Sequence, residues 1–190
     1  MTTVKKIYSA SVDGTGFAPL RARHEDMSFL NERLKSPMYG TRPLASTWTP
    51  LEMDVLQGAK VPRHTADVTQ ITLYTFAFKA AAVRVLGDLL MAHGELLPIS
   101  VPGHEYYAYH ATRHPDPRDP ARADDPGFSF LEERLDGMDF FQLPRNLMYF
   151  ASSAFLEVYD QHELTGLTFR ERWPEAQQGP TLPALRIPTK

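Results

Sequence analysis

Three imidazoles, His104, His110 and His114, fall within eleven residues of this chain, and two carboxylates, Asp116 and Asp119, follow at once. Imidazole nitrogen and carboxylate oxygen suit zinc and other divalent ions, and His104, His110 and Asp116 are the set a metal-assisted hydrolase would use. The spacing opposes convergence. On an extended strand His104 and His110 share a face but lie roughly 20 Å apart at ~3.3 Å per residue. Pro115 discourages the helical turn that would bring His110 and His114 together. These side chains therefore read as surface histidines, with no metal and no other cofactor expected. A second group, Glu132, Glu133, Asp136 and Asp139, could pair carboxylates for acid–base work. Leu131, Leu135, Phe140 and Phe141 interleave with them, so the pattern reads as packing beside a solvated face, with Arg134 offsetting part of the charge. Ser152-Ser153 stands where a strand gives way to a helix, as a nucleophile would. No glycine occurs between 146 and 155, so the G-x-S-x-G elbow is absent and a helix cap is the better account. Neither G-x-x-x-x-G-K-[ST] nor G-x-G-x-x-G is present, and Asp13-Gly14-Thr15-Gly16 reads as a turn.

Composition narrows the classes further. The chain has 190 residues, no cysteine and a formal net charge of −3. A domain of this length buries roughly 70% of its unfolded surface and needs no disulfide or metal staple. The missing thiol excludes a cysteine nucleophile, a thiolate zinc site and a redox pair. A charge this close to neutral favours neither nucleic acid nor an acidic membrane as partner. Residues 1–6 carry two lysines with no signal-like apolar run behind them, and residues 73–91 are interrupted by Lys79, Arg84 and Asp88. The expected setting is cytoplasmic.

The elements that would position any site follow from periodicity. Residues 6–12 are β-prone and stop at Asp13-Gly14. Residues 25–35 place Met27, Leu30 and Leu34 at helical spacing. Residues 39–62 hold Pro43, Pro50 and Pro62 and read as an extended surface crossing anchored by Trp48, Leu51 and Met53. Ile71 to Phe78 reads as a strand. A helix over residues 80–93 sets Ala82, Val85, Leu86, Leu89 and Leu90 on one face, with Gly94 as a left-handed cap. Strands over 96–101 and 106–110 join through Pro102-Gly103. The same grammar returns at 147–151, then a helix carrying Phe155, Val158, Tyr159 and His162, an end at Thr165-Gly166, and a strand over 167–173. The predicted fold is α+β: one domain, a mixed or antiparallel sheet with helices packed on it, built around two strand–helix–strand units. Residues 1–47 read as an N-terminal strand and helix extension packed on the main domain, 48–173 as that domain, and 174–190 as an irregular, proline-rich tail. The expected core is Leu73, Val85, Leu86, Leu89, Leu90, Ile99, Phe150, Phe155, Val158, Tyr159, Leu167 and Phe169.

Several short motifs resemble a known family. Trp48-Thr49-Pro50, Ala66-Asp67-Val68, Gly94-Glu95-Leu96-Leu97-Pro98-Ile99 and Glu105-Tyr106-Tyr107 are followed by Asp139-Phe140-Phe141-Gln142-Leu143-Pro144, Tyr149-Phe150-Ala151-Ser152 and Leu164-Thr165-Gly166-Leu167-Thr168-Phe169. Together they resemble family eleven of the bacterial polymorphic-toxin immunity proteins, which has a myxobacterial founder. The resemblance spans Trp48 to Trp173. It implies a cytosolic α+β protein that neutralises a cognate toxin by binding it, and it implies no catalytic residue. A scaffold protein without a toxin partner is the remaining class beside the hydrolase.

A binding surface is expected on the loop that joins the two units, because binding residues concentrate on loops held by a rigid scaffold. Proline density over 114–127 forbids helix or central strand there. Asp116, Asp119, Asp124 and Asp125 would offer acceptors to a basic toxin surface. Tyr107 or Tyr109 would supply an aromatic anchor.

Overall fold

Ten strands and two α-helices make up the described part of the chain in a computed structural model; described are residues 5–13, 16–23, 34, 42–58, 60, 62, 64–72, 75–122 and 128–174. The strands are β1 Ile7–Val12, β2 Leu20–Ala22, β3 Leu51–Val55, β4 Val68–Thr72 and β5 Thr75–Lys79, then β6 Gly94–Val101, β7 His104–Ala111, β8 Phe140–Gln142, β9 Tyr149–Ser152 and β10 Leu167–Trp173. The helices are α1 Ala80–Met91 and α2 Ser153–Gln161. The architecture is α+β, with one antiparallel and one mixed sheet. No helix among the described residues is long and apolar enough to cross a membrane.

Local chemistry accounts for most of these elements. In α1 the apolar stripe buries Ala82, Leu86 and Leu90 while Arg84 and Asp88 stay exposed. Burying each leucine contributes roughly 1.5–3 kcal/mol relative to exposure. Ser152 caps α2, its hydroxyl accepting from the Phe155 amide at 3.2 Å and donating to Asp139 at 2.8 Å. The β6–β7 hairpin turns at Pro102-Gly103, where Gly103 takes φ +74°.

The strands form two sheets, in the orders β10-β1-β9-β8 and β2-β3-β6-β7-β5-β4. Within them lies a repeated unit. The block β6-β7-β5-β4 and the block β10-β1-β9-β8 have the same order, and every neighbouring pair in both is antiparallel. Helix α1 connects β5 to β6 as α2 connects β9 to β10. The expected pair of strand–helix–strand units is therefore present, with one permutation. The strand between the two helix-linked strands is the following hairpin partner β7 in the first unit, but the N-terminal β1 in the second.

Three apolar clusters follow from this layout. The central one lies between the units and joins Val68, Phe76, Phe78, Leu86, Leu90 and Tyr109 of the first to Phe140, Tyr149, Phe155 and Tyr159 of the second. The opposite face of the mixed sheet buries Leu97, Ile99, Tyr106 and Ala108 in one cluster with Leu20, Leu51 and Met53 of its outer strands and with Leu34. The opposite face of the antiparallel sheet buries Ile7, Phe141 and Phe150 under Phe130 and Leu135.

Several local expectations are corrected. The stretch 71–78 is a hairpin of β4 and β5 rather than one strand. Phe76, Ala77 and Phe78 are all buried, so no alternation marks the break. The proline-rich stretch over 39–62 contains β3, paired in parallel with β6 through Leu51 and Ile99. Its residues do alternate, with Leu51 and Met53 buried and Glu52 and Asp54 exposed. Gly94 is not a left-handed cap; it opens β6, and a Cβ there would sit 2.4 Å from the Tyr109 ring. Helix α2 ends not at Thr165-Gly166 but at His162 and Glu163, where Glu163 takes φ +49°. Of the expected core, Leu86, Leu90, Ile99, Phe150, Phe155, Tyr159 and Leu167 are buried. Val85, Leu89, Val158 and Phe169 pack at the edge of the central cluster. Leu73, Asp124, Asp125, the tail from 175 on and the helix expected over 25–35, apart from buried Leu34, lie outside the described residues.

Candidate functional site

The loop after β7 is folded back on itself. Asp116 accepts from Arg118 Nε at 2.7 Å and from Nη2 at 2.6 Å. The guanidinium beside it holds the Asp116 carboxyl below its ordinary value. Asp119 accepts from the Ala121 amide at 2.9 Å and so turns the chain into the short 3-10 helix Pro120–Arg122. The Asp119 and Leu131 amides donate to Ser129 and Pro117 carbonyls, and Arg118 bridges Phe130, which zips the loop to the segment covering the antiparallel sheet. Both aspartates are thus engaged in the loop's own geometry.

The tyrosines separate sharply. Tyr109 is 0% exposed, edge-on to Phe78, Phe140 and Tyr149, with its hydroxyl facing the Phe140 carbonyl. Burial pushes its phenol well up. Its expected role as a surface anchor is corrected, because the central cluster covers this face of β7. Tyr107 is half-buried, and its hydroxyl donates to Glu105 at 2.8 Å. Tyr106 points the other way, buried, and donates to the Ala66 carbonyl at 2.7 Å. Burial raises its pKa to about 12.

The histidines do not assemble with Asp116. Among the described residues no three His, Asp or Glu side chains come together as a metal ion would require. His104 is exposed. His110, expected at the surface, is 6% exposed, and its Nδ1 meets Glu95 Oε1 at 2.8 Å. Glu95 also accepts from the Leu44 and Ala45 amides, so this pair fastens the segment before β3 to the hairpin. The acidic group is likewise dispersed, with Asp139 bound to Ser152, Asp136 paired to Lys5, and Glu132 and Glu133 exposed on a 3-10 turn.

His114 is the exception. Both its ring nitrogens are buried without a well-formed hydrogen bond. Burial lowers its pKa below 6.5; the Gln142 main chain opposes that shift and His110 adds to it. A pKa depressed on folding means the folded state binds fewer protons. The resulting contribution to stability is present above the unfolded value of 6.5 and is lost as the pH falls through the lower folded value. Thermal melts between about pH 7.5 and pH 5 should show the midpoint falling on acidification, and less steeply in His114→Gln. Parallel slopes for the two proteins would remove His114 as the titrating group.

Sequence reasoning passed over a different polar centre, at the junction of the units. Asp67, just before β4, and Thr165, just before β10, bind each other reciprocally. The Thr165 hydroxyl and amide donate to Asp67 Oδ2 at 2.7 and 3.0 Å, and the Asp67 amide donates to Thr165 Oγ1 at 3.1 Å. The Val68 amide adds a bond to the Thr165 carbonyl at 2.9 Å. Lys79 donates to the Thr65 carbonyl at 2.7 Å, with Asp67 Oδ1 3.8 Å away. Tyr159 closes the cluster by accepting from the Leu167 amide at 2.9 Å. The only signal available in sequence was that Asp67 and Thr165 sit in two of the short motifs.

Each of those motifs resolves into a fastening. Trp48 donates its indole N–H to the Pro98 carbonyl, Gly94 admits the Tyr109 ring, Glu95 holds His110 and two amides, and Ser152 binds Asp139. Compared with known protein families and with curated proteins, the chain matches none of them.

Proposed function

We propose that this chain is an immunity-type protein, which neutralises a bacterial toxin by binding it and carries out no chemistry of its own. One observation supports the reading above others. The motifs that resemble the immunity family meet in space across long stretches of chain, Asp67 with Thr165 over 98 residues and Trp48 with Pro98 over 50. The likeness therefore concerns a set of mutually dependent contacts, which shared architecture would preserve together, rather than isolated strings. The groups first considered for hydrolysis, His110 and Asp116, are bound to Glu95 and Arg118 instead of facing a common point.

The test is growth rescue. The protein encoded beside this one is expressed in a bacterial host with and without this chain, and the purified pair is analysed by size-exclusion chromatography with light scattering. Restored growth together with a stoichiometric complex is the expected result. A neighbour that is not toxic, or toxicity unaffected by this chain, would overturn the proposal. Turnover of ester or phosphodiester substrates that disappears in His110→Asn would favour the hydrolase in its place.

A further inference from the structure

We propose that the outer edge of β10 is a strand-addition site for an extended partner segment that alternates apolar and acidic residues. The inference rests on reading the chain as a protein that works by binding, and it names the surface and the chemistry of what is bound.

The repeated unit supplies the first argument. In the mixed sheet, β6 occupies the position that β10 occupies in the antiparallel sheet, and β6 carries a further strand on its outer side. That strand is β3, docked in parallel with Leu51 beside Ile99 and Glu52 beside Ser100. Among the described residues β10 has no such neighbour and ends its sheet. An end strand presents a row of unpaired N–H and C=O groups, which an extended peptide satisfies by adding a strand. At seven residues, Leu167–Trp173 is long for an edge; Tyr159 already takes the Leu167 amide at 2.9 Å, so the row open to a partner begins beyond that residue.

Side chains decide what the edge accepts. On the face away from α2, Thr168 and Arg170 alternate opposite Ser11 and Ser9, and Arg172 sits at the irregularity between the Tyr8–Glu171 and Ile7–Trp173 pairs, its Nε donating to Ser9 and its guanidinium 6.0 Å from the Phe128 ring. Arg170 is exposed and makes no ion pair among the described residues. Burial, and after it the neighbouring Arg170 charge, lower the Arg172 pKa. On the inward face Phe169 lies against Phe155 and Tyr159 with part of its ring accessible, and Glu171 is already satisfied by Lys6 at 3.0 Å. A docking strand meets cations on one face and an aromatic on the other. The charges that keep uniformly apolar strands away are the same ones that select an acidic strand. Antiparallel self-pairing centred on Arg170 would set that guanidinium against its own copy.

The experiment uses the full chain and two synthetic peptides of about seven residues, one alternating Val with Glu and one alternating Val with Lys, matched to the edge spacing. Two-dimensional amide NMR titrations follow shifts and exchange over residues 167–173. The acidic peptide is expected to shift and protect β10 amides in wild type, with the basic peptide at least about tenfold weaker. Arg170→Glu should invert that preference, and Arg170→Gln should level it. Each variant is checked by its melting curve, and the Gln variant carries the test if the Glu variant does not fold. Binding that leaves β10 unprotected, a preference unmoved by both variants, or self-association through β10 in sedimentation would each overturn the inference. Protection by the peptide without growth rescue would keep the edge and remove the immunity reading. Rescue by a toxin that leaves β10 unprotected would do the reverse.

Discussion

Gly166→Ala is expected to destabilise the protein by about 2–6 kcal/mol, through two effects that can be separated. Gly166 takes φ +102°, a conformation that an L side chain adopts only with strain of ~1–3 kcal/mol. An added Cβ would also lie 1.9 Å from the Val68 carbonyl oxygen and 2.6 Å from the Ala66 Cβ. That oxygen is backbone and cannot swing aside, so overpacking adds ~1–3 kcal/mol. Gly103→Ala isolates the backbone contribution, because Gly103 has φ +74° but nothing within 4 Å of the added atom. It should cost about 1–2 kcal/mol. Urea unfolding of both variants makes the comparison. Equal losses would show that β4 and β10 do not approach as closely as the Asp67–Thr165 junction requires. Relief would have to come by separating the two units at that junction, so Gly166→Ala should also accelerate amide exchange at Val68, whose N–H donates to Thr165.

Phe140→Ala should cost about 3–5 kcal/mol, the range for emptying a buried aromatic position. Phe140 is fully buried, stacked on Tyr149 at 5.1 Å and on Phe155 at 4.8 Å, and edge-on to Phe78 at 6.0 Å and Tyr109 at 5.4 Å. These partners come from both units, so the cavity opens in the cluster that joins them. The neighbouring Phe141 is equally buried but faces Phe150 and Phe130 on the far side of the same sheet. Phe141→Ala should bring a loss of the same size with a different footprint. Hydrogen exchange should quicken in β5, β7 and α2 for Phe140→Ala, and mainly in β9 and residues 128–135 for Phe141→Ala. If the two exchange maps coincide, the central and outer clusters are not separate layers.

Local pattern was enough to read much of this chain. The stripe of Leu86 and Leu90 marks α1 because one face is buried and the other wet, which is the condition under which periodicity survives. Ser152 marks the start of α2 because a hydroxyl there satisfies an otherwise unpaired amide. Pro102-Gly103 marks the β6–β7 hairpin because the turn needs a residue at positive φ. The repeat of strand, helix and strand follows from the same cues used twice, and so does the α+β class.

Tertiary contacts decided the rest. Nothing local shows that β1 enters the second sheet between β9 and β10, since pairing over more than 130 residues leaves no trace in either segment. Gly94 and Gly166 look like ordinary helix punctuation, yet what they meet is the Tyr109 ring and the Val68 carbonyl, brought there by other strands. Tyr107 and Tyr109 alternate onto the same face of β7, and only the packing of the second unit buries one and leaves the other partly open. His110 and Asp116 read as candidate ligands by residue type alone, and the fold supplies each with a nearer partner, Glu95 and Arg118. Residue type and spacing specify which bonds a segment is able to make. Which of them form depends on what the distant chain places within about 3 Å, the range over which a hydrogen bond acts.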